Sequence, residues 1–179
     1  RDKHSLTAVN GNLYVFGGHD ENNEYLNDTW QLNLETNEWI GLNPSDSPIP
    51  RHHHSVAVVE NEIYLYGGKS SSGCFNDLHV FNCETGEWRW PDVNGISPAA
   101  RWGHDMIAIG SALFLFGGWN GTWCFADTHV FDTTTMSWER QTMSPTAVEP
   151  AARAYHILGV IDKEIYLFGG RNGLRRMKD

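Results

Sequence analysis

Cysteine is scarce in this 179-residue chain: three copies, an odd number, too few for a disulfide framework and without a Cys-x-x-Cys pair to hold zinc. Long apolar runs are missing too. No stretch approaches the ~18 consecutive apolar residues of a membrane span, and the opening residues do not read as a positively charged, apolar leader. Basic residues are outnumbered, 13 against 22 acidic ones, for a formal charge of −9. That balance argues against a phosphate-binding surface, because nucleic-acid partners reward Lys and Arg and penalise carboxylates. No segment shows a 3.6-residue apolar period of helical length, so the expected class is all-β. Apolar residues nevertheless make up 40%, enough for a sizeable core and an argument against disorder. The two unusual supplies are 18 glycines and eight tryptophans, and both are periodic.

Paired glycines fall at Gly17-Gly18, Gly67-Gly68, Gly117-Gly118 and Gly169-Gly170, spaced by 50, 50 and 52 residues. Each pair follows an aromatic run: Leu13–Phe16, Ile63–Tyr66, Leu113–Phe116 and Ile165–Phe168. Sixteen residues before each first glycine stands an arginine (Arg1, Arg51, Arg101, Arg153), and three residues after each arginine a histidine (His4, His54, His104, His156). After the first three pairs come an aspartate (Asp28, Asp77, Asp127) and then a tryptophan (Trp39, Trp88, Trp138). The repeats run 1–50, 51–100, 101–152 and 153–179, the last incomplete. Each reads as four short strands: one after the arginine, the aromatic run, one after the aspartate, and one carrying the tryptophan. Polar turns such as Glu84-Thr85-Gly86 separate the last two.

Together these residues resemble the Kelch repeat along the whole chain. The specific markers are the double glycine, the aromatic residue four positions before its second member, and the tryptophan about twenty residues later, at a period near the ~50 residues of kelch units. The Arg-x-x-His opening is similar to the subclass of host cell factor, leucine-zipper-like regulator and fungal polarity-marker proteins. It is less like the shorter repeats of BTB-Kelch ubiquitin-ligase adaptors. The resemblance implies a partial Kelch-type β-propeller: three complete four-stranded blades plus the first two strands of a fourth. It is then expected to be an excerpt of a longer propeller, with the remaining blades supplied by the same longer chain or by another chain. The glycine pairs are expected at sharp turns with close packing. The aromatics and late tryptophans are expected to join blade to blade, and the arginine and aspartate to form an ordered ion pair.

A residue that recurs in phase in every repeat builds the blade, so function is expected where the repeats differ. Two loop families vary: those after the glycine pairs (His19–Glu24, Lys69–Gly73, Trp119–Trp123, Arg171–Leu174) and those between blades (Asn43–Pro50, Pro91–Ala100, Met143–Ala152). By analogy with Kelch propellers, both surround the mouth of the central channel. A polar rim with rigid aromatic anchors is the composition of a protein-recognition surface. The anchors expected are Trp119 and Trp123, together with Trp102 and Tyr155, read as sharing one position with His52 just after the arginine. Arg51, Arg101 and Arg153 are the expected anion-facing partners, forming a positive ring if they are not neutralised internally.

The chemistry of an enzyme maps poorly. Galactose oxidase is a Kelch-type propeller with a copper site and a Cys–Tyr crosslink, and nothing here matches that site. The iron motif Glu-x-x-x-Asp-x-x-x-His of plant specifier proteins is met by Glu24 and Asp28 but fails at Leu32. The run His52-His53-His54 invites a metal, yet His54 is already the repeat histidine. His79 and His129 stand where blade one has Trp30, an interchange read as packing. Cys74 and Cys124 stand where blade one has Tyr25, which points to burial as reduced thiols and to a cytoplasmic or nuclear setting. The sequons Asn27-Asp28-Thr29 and Asn120-Gly121-Thr122 keep a secreted reading alive. Four basic residues in Arg171–Asp179 read as the start of a post-glycine loop. The expected function is a non-catalytic scaffold or adaptor that binds a protein, with no cofactor, no metal, no nucleic acid and no membrane insertion. The alternatives are a metal- or small-molecule-dependent enzyme on the same propeller, and a purely architectural subunit of a large assembly.

Overall fold

In the computed structural model, which describes residues 1–142 and 149–179, no helix occurs among the described residues. Apolar and β-branched residues on either side of short turns make a hairpin at the start of each repeat. Asn10, Glu60 and Gly110 enter these turns at φ of 47°, 54° and 60°, the positive values that hairpin turns matching the strand twist require. Blade one runs β1 (Ser5–Val9), β2 (Asn12–Phe16), β3 (Thr29–Asn33) and β4 (Glu38–Leu42) in that spatial order, each pair antiparallel. Blade two has β5 (Ser55–Val59) and β6 (Glu62–Tyr66), then a small hairpin of β7 (Lys69–Ser70) with β8 (Gly73–Cys74) in the post-glycine loop, then β9 (Leu78–Asn82) and β10 (Glu87–Arg89). Before blade three comes β11 (Asn94–Gly95), followed by β12 (Asp105–Ile109), β13 (Ala112–Phe116), β14 (Thr128–Asp132) and β15 (Ser137–Gln141). Blade four has β16 (Ala154–Ile161), β17 (Glu164–Asn172) and the short β18 (Arg175–Arg176). The all-β partial propeller is therefore what the chain forms.

Two strands depart from expectation. Pro91–Ala100 reads as a pure connection, yet β11 within it pairs in parallel with β15 and gives blade three a fifth strand. The outer edge of β15 offers unpaired backbone groups; Asn94 N–H takes the Met136 carbonyl at 2.8 Å. The second departure is β17, which passes through Gly169-Gly170 where the glycines should end it, because the post-glycine hairpin pairs Arg171 with Arg176. Of the inter-blade loop Met143–Ala152, residues 143–148 lie outside the described residues.

Blades join through aromatic faces. Tyr14 and Phe16 of blade one meet Phe81 and Trp88 of blade two, with ring centroids of Phe16 and Trp88 4.9 Å apart. Tyr66 and Trp138 repeat the contact one blade later at 5.0 Å. The repeat histidines fill the same seams: His54 stands edge-on to Phe16 and His156 to Phe116. The first glycine of each of the first three pairs, Gly17, Gly67 and Gly117, lies against the next blade. At Gly67 (φ +63°) a Cβ would sit 2.7 Å from the Arg101 carbonyl oxygen, so no side chain fits there.

Trp39 breaks the pattern. Expected to pack blade on blade, it is 51% exposed, whereas Trp88 and Trp138 are 4% and 3% exposed. The late tryptophan packs on the preceding blade, and no blade precedes β1 within these residues. At the other end Ile157, Tyr166 and Phe168 are likewise uncovered, at positions that blades one and two fill with the next blade. This asymmetry sets a prediction. Trp88→Ala should cost about 3–5 kcal/mol, through its cavity and the lost hydrogen bond from Nε1 to Thr29 Oγ1. Trp39→Ala should cost under about 1 kcal/mol. Urea midpoints of the two variants measure the contrast, and equal losses would show that Trp88 is not the seam residue.

Candidate functional site

The three arginines expected to face an anion do not. Arg51, Arg101 and Arg153 are 0%, 0% and 1% exposed. Arg51 grips Asp77 with both terminal nitrogens at 2.6 and 2.8 Å, and Arg101 grips Asp127 at 2.7 and 2.9 Å. Arg153 does the same with Asp179 at 3.0 Å twice. Their Nε groups donate to the carbonyls of Ile49, Ala99 and Ala151, and Nη1 also donates to the first glycine of the pair. The Arg51 and Arg101 guanidiniums lie over the rings of Phe75 and Phe125 at 4.2 and 4.0 Å. The positive ring read from the sequence is neutralised inside the blades, where each guanidinium fork meets a carboxylate in two parallel charge-assisted hydrogen bonds and two backbone carbonyls take further donors.

Two parts of this device escaped the sequence reading. Asp179 is the fourth in-phase aspartate, 26 residues after Arg153 as Asp127 is after Arg101. The His/Trp position two residues beyond the aspartate is also more than packing. His79, His129 and Trp30 each place a ring nitrogen on the carboxylate, at 2.8, 2.9 and 2.6 Å. The shared property is a ring N–H, and the Asp-x-His/Trp spacing was its signal. Burial opposes ionisation of Asp77, but hydrogen bonds from Arg51 and His79 outweigh it and hold the carboxyl well below the usual range. At Asp127 the hydrogen bonds from His129 and Arg101 likewise outweigh burial.

At the channel mouth the residue two places after each arginine takes a left-handed backbone: Lys3, His53, Gly103 and Tyr155 have φ of 54°, 53°, 63° and 59°. Their backbones are chained across the blades. His53 N–H donates to the Lys3 carbonyl, Gly103 N–H to His53 and Tyr155 N–H to Gly103, at 3.0, 2.9 and 2.7 Å. Tyr155 therefore shares a position with His53 and Gly103, not with Trp102 as the sequence reading has it. The residue equivalent to Trp102 is Ala154, which pairs with Arg171 as Trp102 pairs with Trp119. The chain of left-handed residues thus turns the side chains of His53 and Tyr155 toward one another, with T-shaped rings 5.2 Å apart.

Around them lies an open cleft of about 640 Å³, bordered by Lys69, Trp102, Tyr155, Arg171 and Arg176 as well as Lys3 and the two histidines. Lys69 Nζ stands 4.6 Å over the Trp102 ring and the Arg171 guanidinium 4.5 Å over the Tyr155 ring. Burial first, then the charges of Lys3 and Lys69, lowers His52 to about 4. Burial and His52 lower His53 to about 3, so both imidazoles are neutral at pH 7. His52 stacks on Tyr25 and its Nδ1 lies 2.6 Å from that of His53. Among the described residues no three His, Cys, Asp or Glu side chains converge in an arrangement that could hold a metal ion.

Trp119 borders an adjoining apolar hollow of about 310 Å³ with Trp102, Tyr155, Arg171 and Leu174. The structure therefore brings Trp102, Trp119 and Tyr155 together. It leaves Trp123, 57% exposed, apart from them in a separate hollow beside Phe125 and Arg140. Cys74 and Cys124 are unpaired, each with its thiol toward a carbonyl of the next post-glycine loop, Asn120 and Arg171. The cations Lys69 and Arg171 border the open cleft, and sequence reasoning places them in the variable loops without singling either out as a site residue. Each is the first residue after a glycine pair, the place that bridges to the next element of the mouth.

Comparison with known proteins agrees with this architecture. A family model of the KLHDC2/KLHL20/DRC7 Kelch-repeats domain matches residues 1–170. The chain is 38% identical over 104 residues (55% of it) to acyl-CoA-binding domain-containing protein 4 of Arabidopsis thaliana, covering 15% of that protein. It is 38% identical over 95 residues (51% of it) to Rho GTPase-activating protein gacHH of Dictyostelium discoideum, covering 6%. It is 37% identical over 90 residues (47% of it) to human Kelch domain-containing protein 10, covering 20%. The chain thus spans a fifth or less of the length of these relatives. With the arginine–aspartate pairs, double glycines and blade-joining aromatics all in phase, the chain belongs to the Kelch-repeat family.

Proposed function

We propose that this chain is a non-catalytic protein-interaction module, a scaffold or adaptor that binds a partner through the loop face of its propeller. One observation carries the reading: the repeat residues are consumed by the fold, while varying residues of blades two, three and four (Lys69, Trp102, Trp119, Tyr155 and Arg171, though not Trp123) converge on one cleft at the channel mouth. Trp102, Trp119 and Tyr155 supply rigid aromatic area there, and Lys69 and Arg171 supply charge fixed over two of the rings. Unpaired thiols accord with a cytoplasmic or nuclear setting. The uncovered faces at Trp39 and Phe168 are completed by further blades, from the same longer chain or from another.

The test is capture of partners by the immobilised protein. A Trp102→Ala, Trp119→Ala double variant should lose at least tenfold in bound partner. Trp90→Ala, at a tryptophan 73% exposed away from the cleft, should not. Equal capture by all three proteins counts against a loop-face module. Stoichiometric copper, iron or zinc in the purified protein would favour the metalloenzyme alternative.

A further inference from the structure

The open cleft and the apolar hollow are not separate. Both are bordered by Trp102, Tyr155 and Arg171, so they form one two-compartment groove. The larger compartment is bordered by four cations, Lys3, Lys69, Arg171 and Arg176, and by no carboxylate, in a chain whose net charge is −9. Lys3 is partly answered by Asp2, 3.8 Å away, and touches His19 at 2.7 Å. Lys69, Arg171 and Arg176 make no salt bridge among the described residues. That contrasts with the buried arginines, each of which has its own aspartate. The other titratable side chains that face this compartment are His52 and His53, lowered by burial, and Tyr155, raised by burial; all three are neutral and add no charge of either sign at pH 7. The smaller compartment is walled by Trp102, Trp119 and Tyr155 and edged by Leu174, whose side chain is fully in solvent.

We propose that this groove takes an extended acidic peptide segment of the partner, with carboxylates against Lys69, Arg171 and Arg176 and a neighbouring apolar side chain against Trp102, Trp119 and Tyr155. The proposal rests on the loop-face reading and names the chemistry of its partner. Charge complementarity carries it. Cations held over ring faces without counter-ions gain most from an incoming carboxylate, and the ring walls beside them reward an apolar residue next in sequence. The surrounding negative charge repels a polyanion such as a nucleic acid at long range, while a short acidic segment reaching into the groove meets only cations.

An array of random-sequence dodecapeptides, probed with the intact protein, tests it. The bound peptides should be enriched in Asp or Glu adjacent to an aromatic or aliphatic residue. Affinities of the best of them should fall at least tenfold between low and high salt. Lys69→Glu with Arg171→Glu should abolish the acidic preference and select basic peptides instead, while Arg89→Glu, outside the groove, should leave it unchanged. No enrichment in acidic residues, no bound peptide at all, or an unaltered preference in the charge-reversed variant would overturn the proposal. A phosphopeptide or a single-stranded oligonucleotide bound tenfold more tightly than the best acidic peptide would overturn it as well. The two readings part cleanly. If the Trp102→Ala, Trp119→Ala variant loses its captured partners while peptides show no acidic preference, the module stands and this assignment falls. If capture is unaffected as well, both fall.

Discussion

Arg101→Ala should destabilise the protein by about 3–5 kcal/mol, the cost of leaving one member of a buried ion pair without its partner. Asp127 would keep only the His129 hydrogen bond, while the carbonyls of Ala99 and Gly117 would lose their donors. The Phe125 ring would also lose the cation packed on its face. The same repeat position supplies its own control. The Arg1 and Asp28 side chains are 23% and 38% exposed, so Arg1→Ala should cost under about 1 kcal/mol despite an equally short ion pair of 2.6 Å. Urea midpoints read both. A loss at Arg101 no greater than that at Arg1 would show that burial does not set the strength of the device. Replacing both Arg101 and Asp127 with apolar residues should recover much of the loss, because no uncompensated charge remains.

Acid should weaken the protein well above the range in which its carboxylates protonate. His54, His104 and His156 are 8%, 5% and 5% exposed and sit in the seams between blades. Burial, then the charge of Arg51, lowers His54 to about 3; burial and Arg153 lower His156 to about 4; burial and Arg101 take His104 well below its ordinary value. In the unfolded chain each protonates near 6.5. The unfolded state therefore binds more protons between about pH 6.5 and the folded values. The contribution is fully present above 6.5 and is lost as pH falls below it, at up to about 1.4 kcal/mol per pH unit for each group. Together the three should remove on the order of 5 kcal/mol by pH 5. Asp105 works the other way, since its burial raises its carboxyl and acid favours its folded form. Asp77 and Asp127, held low by their partners, add to the loss only at still lower pH. Thermal midpoints at pH 7.5, 6 and 5 test the sign, and a midpoint constant across that span contradicts it. His104→Gln should flatten the slope.

The blades were legible because a repeat shows its own construction. Gly67, Trp88 and Arg101 recur at fixed phase, and a residue that must recur in every blade declares a structural duty whatever its chemistry. For that reason the double glycines and the ion pairs could be assigned from spacing. The limits were equally physical. Nothing local distinguishes Trp39 from Trp88, because their difference lies in whether a blade covers them. The register of Tyr155 is legible in the sequence, since it stands two places after Arg153 as His53 does after Arg51 and Gly103 after Arg101, so placing it with Trp102 is an error of alignment. What spacing does not record is the left-handed backbone that chains these residues with Lys3 and turns the His53 and Tyr155 rings together.

From the sequence alone come the all-β class, the period, the family resemblance and the split between residues that build blades and loops that vary. The tertiary structure decided where the charge goes. It folded Arg51, Arg101 and Arg153 inward onto aspartates and left Lys69 and Arg171 outside over aromatic rings. Both sets are cationic, and burial together with a carboxylate within hydrogen-bonding reach is what separates Arg51, Arg101 and Arg153 from Lys69 and Arg171. Those are properties of contacts between residues about 26 or more apart, which no local pattern records.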